Sequence, residues 1–238
     1  MAAMDSGRTA EADYNLSDPI KSFVGVVRRI VLHPVRFFAE LPKQGNFLNP
    51  LVFALICSEI LAILRGVLIM LLVVGAGAQG GQRFLEGVSR LLGVEATLSL
   101  VAIGPIIIMP VLAPIGLLIT TSILHVVVRL VVGAESPGIK ATFRVPSYAA
   151  VTNLISWVPI ISVLALLYSA YLQVVGIREM HETTTGKAVG VFLGYLITLI
   201  WGGVAVIGLV AHSSVGAIAG VLLIVGVVVV AVALKERC

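Results

Sequence analysis

A 238-residue chain that is 59% hydrophobic and only 12% charged, with a mean hydropathy of +1.10, carries about half the charge with which a soluble domain covers its surface. Long apolar runs are implied, and with them a membrane. The net charge of +4 arises in one short stretch before the first apolar run, where Lys21, Arg28, Arg29, Arg36 and Lys43 stand against one acid, Glu40; its interleaving with apolar residues makes it a membrane-surface segment and excludes a nucleic-acid footprint.

Residues 1–17 are polar, lack apolar periodicity and are expected to be disordered, with no cleavable signal in evidence. Ser17 or Asp18 followed by Pro19 marks a helix start. Phe23, Val27, Ile30, Val31, Pro34 and Phe38 then recur at helical spacing, interrupted by Lys21, Arg28, Arg29 and Arg36. This predicts a basic amphipathic helix over 18–46 that breaks at His33-Pro34. It lies in the interface, where it attracts anionic lipid, or packs on the cytoplasmic end of a bundle, or does both.

A first span is predicted over 50–74, then a Gly-rich polar connection over 75–93 carrying Arg83, Glu86 and Arg90. Residues 96–132 are too long for one ordinary span and too short for two. Pro105, Pro110 and Pro114 in the first half predict one span over 111–132 behind a broken, partly inserted or interfacial lead-in. A polar turn over 133–146 holds Glu135, Lys140 and Arg144. A third span over 147–175 is expected to kink at Trp157-Val158-Pro159. After a polar loop over 176–187 come a fourth span, 188–210, a tight turn at His212, and a fifth span, 215–234. The fold class is thus an all-α polytopic membrane bundle of about five transmembrane helices, residues 47–238, plus the amphipathic helix. Counting Lys and Arg puts the N-terminus in the cytoplasm and the C-terminus outside, with Arg178 and Lys187 on the outer side.

Glu59 and Arg65 fall inside the first span, where charge is costly and suggests function. Six residues correspond to about 600° of rotation, so the two do not face each other. Each needs a partner elsewhere, from Asn153, Tyr168, Tyr171 or Gln173 or across a dimer, either as a polar clamp or as a proton or substrate relay. His125 and Arg129 stand one turn apart near the inner end of the second span, but two cations make no metal site. Neither the four histidines, His33, His125, His181 and His212, nor the two cysteines, Cys57 and Cys238, have metal-ligand spacing. The aspartates lie only in the polar N-terminus, so Ser-His-Asp catalysis has no support, and no phosphate-binding glycine motif occurs. The sequence therefore reads as a non-enzyme without metal or cofactor. Gly190-x-x-x-Gly194 and Gly216-x-x-x-Gly220 offer a close seam between the last two spans, or a homo-oligomer contact.

The run Lys140-Ala-Thr-Phe-Arg-Val-Pro-Ser-Tyr-Ala-Ala, followed by Trp157-Val-Pro-Ile-Ile, Tyr168 to Tyr171 and Val174-Val-Gly-Ile-Arg-Glu-Met-His, resembles the prokaryotic branch of the Yip (Ypt/Rab-interacting protein) family. Pro34, Phe37, Phe38, Leu41 and Asn49-Pro50-Leu51 resemble its N-terminal pattern. The resemblance implies a five-span fold with a cytoplasmic N-terminus, in the plasma membrane of a prokaryote. Eukaryotic members are similar in architecture, bind prenylated Rab GTPases and each other, and carry an Asp-Leu-Tyr-Gly-Pro motif. That motif has no match here, which argues against GTPase binding. Two functions compete: a scaffold or adaptor that engages lipid, copies of itself or other membrane proteins, and a small transporter, channel or lipid-moving protein using Glu59 and Arg65.

Overall fold

The computed structural model describes residues 13–92, 95, 97–133 and 136–210. Among them every regular element is helical and no strand occurs, as the fold class requires. Helix α1 (Pro19–Leu32) opens with proline at its first position, where the missing amide would have lacked a partner in any case. It ends at His33, which the following proline holds out of the helical region (φ −141°, ψ 58°), and α2 (Pro34–Glu40) restarts at once. The break is where the sequence put it. Pro34 cannot bond back to the Ile30 carbonyl; the Tyr168 hydroxyl donates there instead, 3.0 Å from Ile30 O and 3.3 Å from Val31 O. Val26, Ile30, Phe37 and Phe38 are buried against the bundle. Within the stretch 1–17 expected to be disordered, Asp13 and Tyr14 are buried as well.

Helix α3 (Leu48–Gly75) is at about 42 Å longer than a hydrocarbon core. The connection after it is not a loop but a second helix, α4 (Gly77–Leu92). Phe84, Leu85, Val88, Leu91 and Leu92 recur at helical spacing, and that periodicity outweighs the glycines that suggested a loop. The lead-in expected to be broken is also helical. A π-turn (Ser99–Ile103) runs straight into α5 (Gly104–Val131), with Pro110 and Pro114 inside the helix, giving one apolar element of 33 residues. In an apolar run without capping side chains, each proline forfeits about one hydrogen bond, whereas a break would strand a whole turn of backbone. The π-turn presses on α3 at Gly66, where an added Cβ would sit 2.3 Å from the Ala102 carbonyl oxygen; only glycine admits that approach.

The predicted third span divides in two. Helix α6 (Ile139–Ala149) and a 3-10 turn (Ala150–Leu154) form one leg, and α7 (Pro159–Met180) forms the next. Val158 is extended and Pro159 starts a new helix, so the expected kink is a complete reversal. The first leg runs beside α3 in the same direction, pairing Tyr148 with Phe53, Asn153 with Ser58 and the Ser156 carbonyl with Arg65. Helix α7 comes back to the starting end, where His181 meets Thr142. Helix α8 (Thr185–Val210) then departs from that end and packs on α5 and α7. Arg178 and Lys187 therefore share an end with Lys140 and the N-terminal helices, not the opposite side as the charge count assumed. The fifth predicted span, with Gly216 and Gly220, lies outside the described residues.

Four helices among the described residues are long and apolar enough to cross a membrane: Leu48–Gly75, Ser99–Val131, Pro159–Met180 and Thr185–Val204. Their outer faces leave Ile107, Val111, Leu118, Ile160, Val163, Leu164 and Leu167 exposed, an apolar exterior that a water-soluble monomer does not present. The α6 leg is different: Ala141 to Val145 and Ser147 to Ala149 are all buried in protein.

Candidate functional site

Because α6 is enclosed, its polar side chains must find partners inside. Arg144 is fully buried, and its Nη2 donates to Asp13 Oδ2 at 2.8 Å. Tyr148, one turn on and so on the same face, donates its hydroxyl to Asp13 Oδ1. The Tyr14 amide is shared between Asp13 Oδ1 at 3.0 Å and the Tyr148 oxygen at 3.1 Å. Burial, then the charge of Asp13, push the Tyr148 phenol well above its ordinary pKa, so it remains a donor. An aromatic wall excludes water: the Tyr148 ring lies 5.0 Å from Phe37 and 5.2 Å from Phe53, and Tyr14 lies 6.0 Å from Phe53. Gly45 closes over the guanidinium, since a Cβ there would stand 2.1 Å from Arg144 Nη2. Arg144 Nε, Arg144 Nη1 and the Tyr14 hydroxyl are buried without a hydrogen-bond partner.

The opposite face of α6 carries a second polar chain. Arg129 Nε donates to His125 Nε2 at 3.4 Å, His125 Nδ1 lies 2.9 Å from Thr142 Oγ1, and that oxygen lies 3.1 Å from His181 Nε2. Arginine can only donate, and this fixes every proton in the chain. His125 accepts on Nε2 and donates from Nδ1; Thr142 accepts that proton and donates its own to His181. His181 is then protonated on Nδ1, which is buried without a partner. Burial, then the charge His125 carries when protonated and that of Lys43, push the His181 pKa down to about 4, so the ring is neutral at pH 7, as an acceptor must be. Lys43 pairs with Glu182 at the rim.

The intramembrane candidates are placed separately. Arg65 lines a cavity of about 350 Å³ with Ala62, Gly66, Pro105 and Met109, and its Nη2 reaches the Ser156 carbonyl at 3.4 Å. Glu59 does not meet it, and Glu59 Oε2 is buried without a hydrogen-bond partner. Asn153 lies on the 3-10 turn rather than on a span, and its Nδ2 donates to Ser58 Oγ at 3.3 Å. These two residues also line a second cavity of about 310 Å³ with Thr120, Gln173 and Tyr195. Of the expected partners for Glu59 and Arg65, none bonds to either. Tyr168 and Tyr171 stack on each other 5.9 Å apart. Gly194 is buried and Gly190 half-buried on α8. Lys21, Arg28 and Arg36 are exposed and Arg29 half-buried.

No group of three His, Cys, Asp or Glu side chains that could hold a metal ion occurs among the described residues. The family model of the Yip1 domain matches residues 28–207, well over half of the chain. The chain belongs to the Yip1 domain family. No curated protein and no solved structure matches it. Within this Yip1 domain lie α6 with Thr142, Arg144 and Tyr148, both histidines, and the two cavities; Asp13 and Tyr14 precede the matched residues. Sequence reading singled out His125 but not Thr142, His181 or the Asp13–Arg144 pair. The signals available for them were the runs from Lys140 to Ala150 and from Val174 to His181, which carried the resemblance without a stated role for their polar residues; Asp13 lies in neither.

Proposed function

We propose that this Yip1-family protein is a non-enzymatic membrane scaffold or adaptor that organises the bilayer or its traffic through helix α1, laid on the cytoplasmic face. The carrying observation is the division of α1 into three stripes. Val26 and Ile30 face the bundle, while Ile20, Val24 and Val31 are exposed. At about 100° per residue these three lie within about 40° of one another, beside the buried face. Lys21 and Arg28 follow on the next stripe. A helix docked by one face, with an apolar flank and a cationic edge, is built to rest in an anionic headgroup layer. A cytoplasmic N-terminus is supported by the gathering of Lys43, Lys140, Arg178 and Lys187 at the same end of the bundle as α1, with Arg83 and Arg90 on α4 at the other.

The test uses point substitutions, because deleting residues 1–45 would strip Ile30, Phe37 and Phe38 from the core. The Lys21→Glu/Arg28→Glu/Arg36→Glu protein is expected to lose little of its melting midpoint in detergent, since all three side chains are exposed and the Lys21–Asp18 and Arg36–Glu40 pairs it breaks are surface pairs of small worth. Reconstituted into vesicles containing phosphatidylserine, it should lose the vesicle deformation that the unaltered protein produces, each base being worth about 1 kcal/mol near such a surface. Deformation equal for both proteins, or absent from both, overturns the reading.

The two cavities joined at the Ser58–Asn153 hydrogen bond, with Arg65 at one end and the unpaired Glu59 oxygen nearby along α3, favour a second reading as a small transporter or lipid-moving protein. Solute flux or lipid scrambling in proteoliposomes that drops with Glu59→Gln would carry it. No transport by the unaltered protein removes it.

A further inference from the structure

The Asp13 carboxylate is a poor match for the group it neutralises. One of its oxygens is taken by the Tyr148 hydroxyl and the Tyr14 amide, which leaves a single oxygen for the guanidinium, at Nη2. Two further guanidinium nitrogens, Nε and Nη1, are left buried and unpaired. A buried arginine normally has such donors satisfied, because each one left bare carries its full desolvation cost. The carboxylate is moreover brought by a short segment: Asn15 to Ile20, which follow it, are all exposed, so of the described residues before α1 only Asp13 and Tyr14 enter the pocket. One turn before Arg144, Lys140 lies over the Phe47 ring, whereas Lys43 is neutralised by Glu182.

We propose that Arg144 and Tyr148 form an anion site for a phosphate group bearing three free oxygens, and that Asp13 and Tyr14 are a displaceable plug occupying it in cis. A terminal phosphate keeps the contacts Asp13 makes, one oxygen on Tyr148 and one on Nη2, and brings a third oxygen for a nitrogen that Asp13 leaves bare. Arginine recognises this geometry through its planar fork of donors. The phosphate comes from a lipid phosphomonoester headgroup or from inorganic phosphate. This site is distinct from the cationic edge of α1 and does not depend on the scaffold reading, so the Lys21/Arg28/Arg36 protein should respond to phosphate as the unaltered protein does.

The test is made on full-length protein in a phosphate-free detergent, titrated with dioctanoyl phosphatidic acid, with inorganic phosphate, and with dioctanoyl phosphatidylcholine as the phosphodiester control. An intramolecular occupant lowers apparent affinity by the fraction of time it leaves the site open. Asp13→Asn is therefore expected to bind dioctanoyl phosphatidic acid at least tenfold more tightly than the unaltered protein and to recover melting midpoint on binding. Adding Arg144→Lys should abolish the gain. Equal gains with inorganic phosphate assign the free ion; a gain confined to phosphatidic acid assigns the headgroup. No gain, a gain that survives Arg144→Lys, or an equal gain with phosphatidylcholine overturns the proposal. Where Asp13→Asn fails to fold, the unaltered protein decides: saturating dioctanoyl phosphatidic acid must speed hydrogen exchange at the Tyr14 amide, and unchanged exchange overturns the proposal.

Discussion

Without added ligand, Asp13→Ala is expected to destabilise the protein by about 3–5 kcal/mol, against roughly 1–2 kcal/mol for Arg144→Met, although the two residues form one ion pair. The inequality follows from what each substitution leaves behind. Removing Asp13 leaves a guanidinium with no exposed surface, held beneath Gly45 on a helix enclosed by α3, α5 and α7, which cannot itself swing out into water. Removing Arg144 leaves a carboxylate that still accepts from Tyr148 and the Tyr14 amide and sits at the edge of an exposed segment, where it can swing out and hydrate. The double variant Asp13→Ala/Arg144→Met should recover most of the larger loss, because no unpaired charge remains. Unfolding free energies from SDS titration in bicelles give the cycle. Equal costs for the two single variants would mean that the arginine can escape, and that α6 is less confined than its burial indicates.

The same pair marks the limit of what sequence alone conveys here. Apolar periodicity locates helices whose outer face meets lipid, and α3 and α8 lie close to their expected positions. It also locates local events: Pro34 breaks the N-terminal helix because a missing amide acts on its own turn. What periodicity lacks is the identity of the environment. Residues 147–154 are apolar enough to open a span, yet they finish a leg enclosed by protein, so one predicted crossing became two antiparallel legs and Arg178 and Lys187 changed ends. Arg144 looks like a solvated loop charge until Asp13, from a stretch that reads as a disordered tail, is brought to it by folding. Thr142 escapes notice for the same reason, since its two histidines come from different helices. Pro105, Pro110 and Pro114 misled in the other direction: in lipid the cost of breaking exceeds the cost of bending, and the helix continues.

Acidification supplies an independent probe of the Thr142 chain. With a pKa of about 4 in the folded protein and about 6.5 when unfolded, His181 binds its proton more weakly in the native state. Between these values the unfolded chain holds more protons, so stability rises with pH there and falls as pH drops. The contribution is fully present above pH 6.5 and is lost progressively down to pH 4, amounting to about 3 kcal/mol. The groups facing His181 act in one sense: Thr142 requires it as an acceptor, and His125 and Lys43 oppose a further positive charge, the latter moderated by Glu182. Unfolding free energy should therefore be flat from pH 8 to 7 and decline below 6.5. Glu182, whose pKa the Lys43 pair lowers, adds a loss only at more acid pH. His181→Gln keeps an acceptor for Thr142 without a titrating group, and it should remove most of the slope between pH 6.5 and 5 while costing little at pH 7.5. A slope that persists in His181→Gln would place the acid-sensitive group elsewhere; a large loss at pH 7.5 would mean that the glutamine oxygen does not reach Thr142, and that the donor order running from Arg129 to His181 depends on the imidazole ring itself.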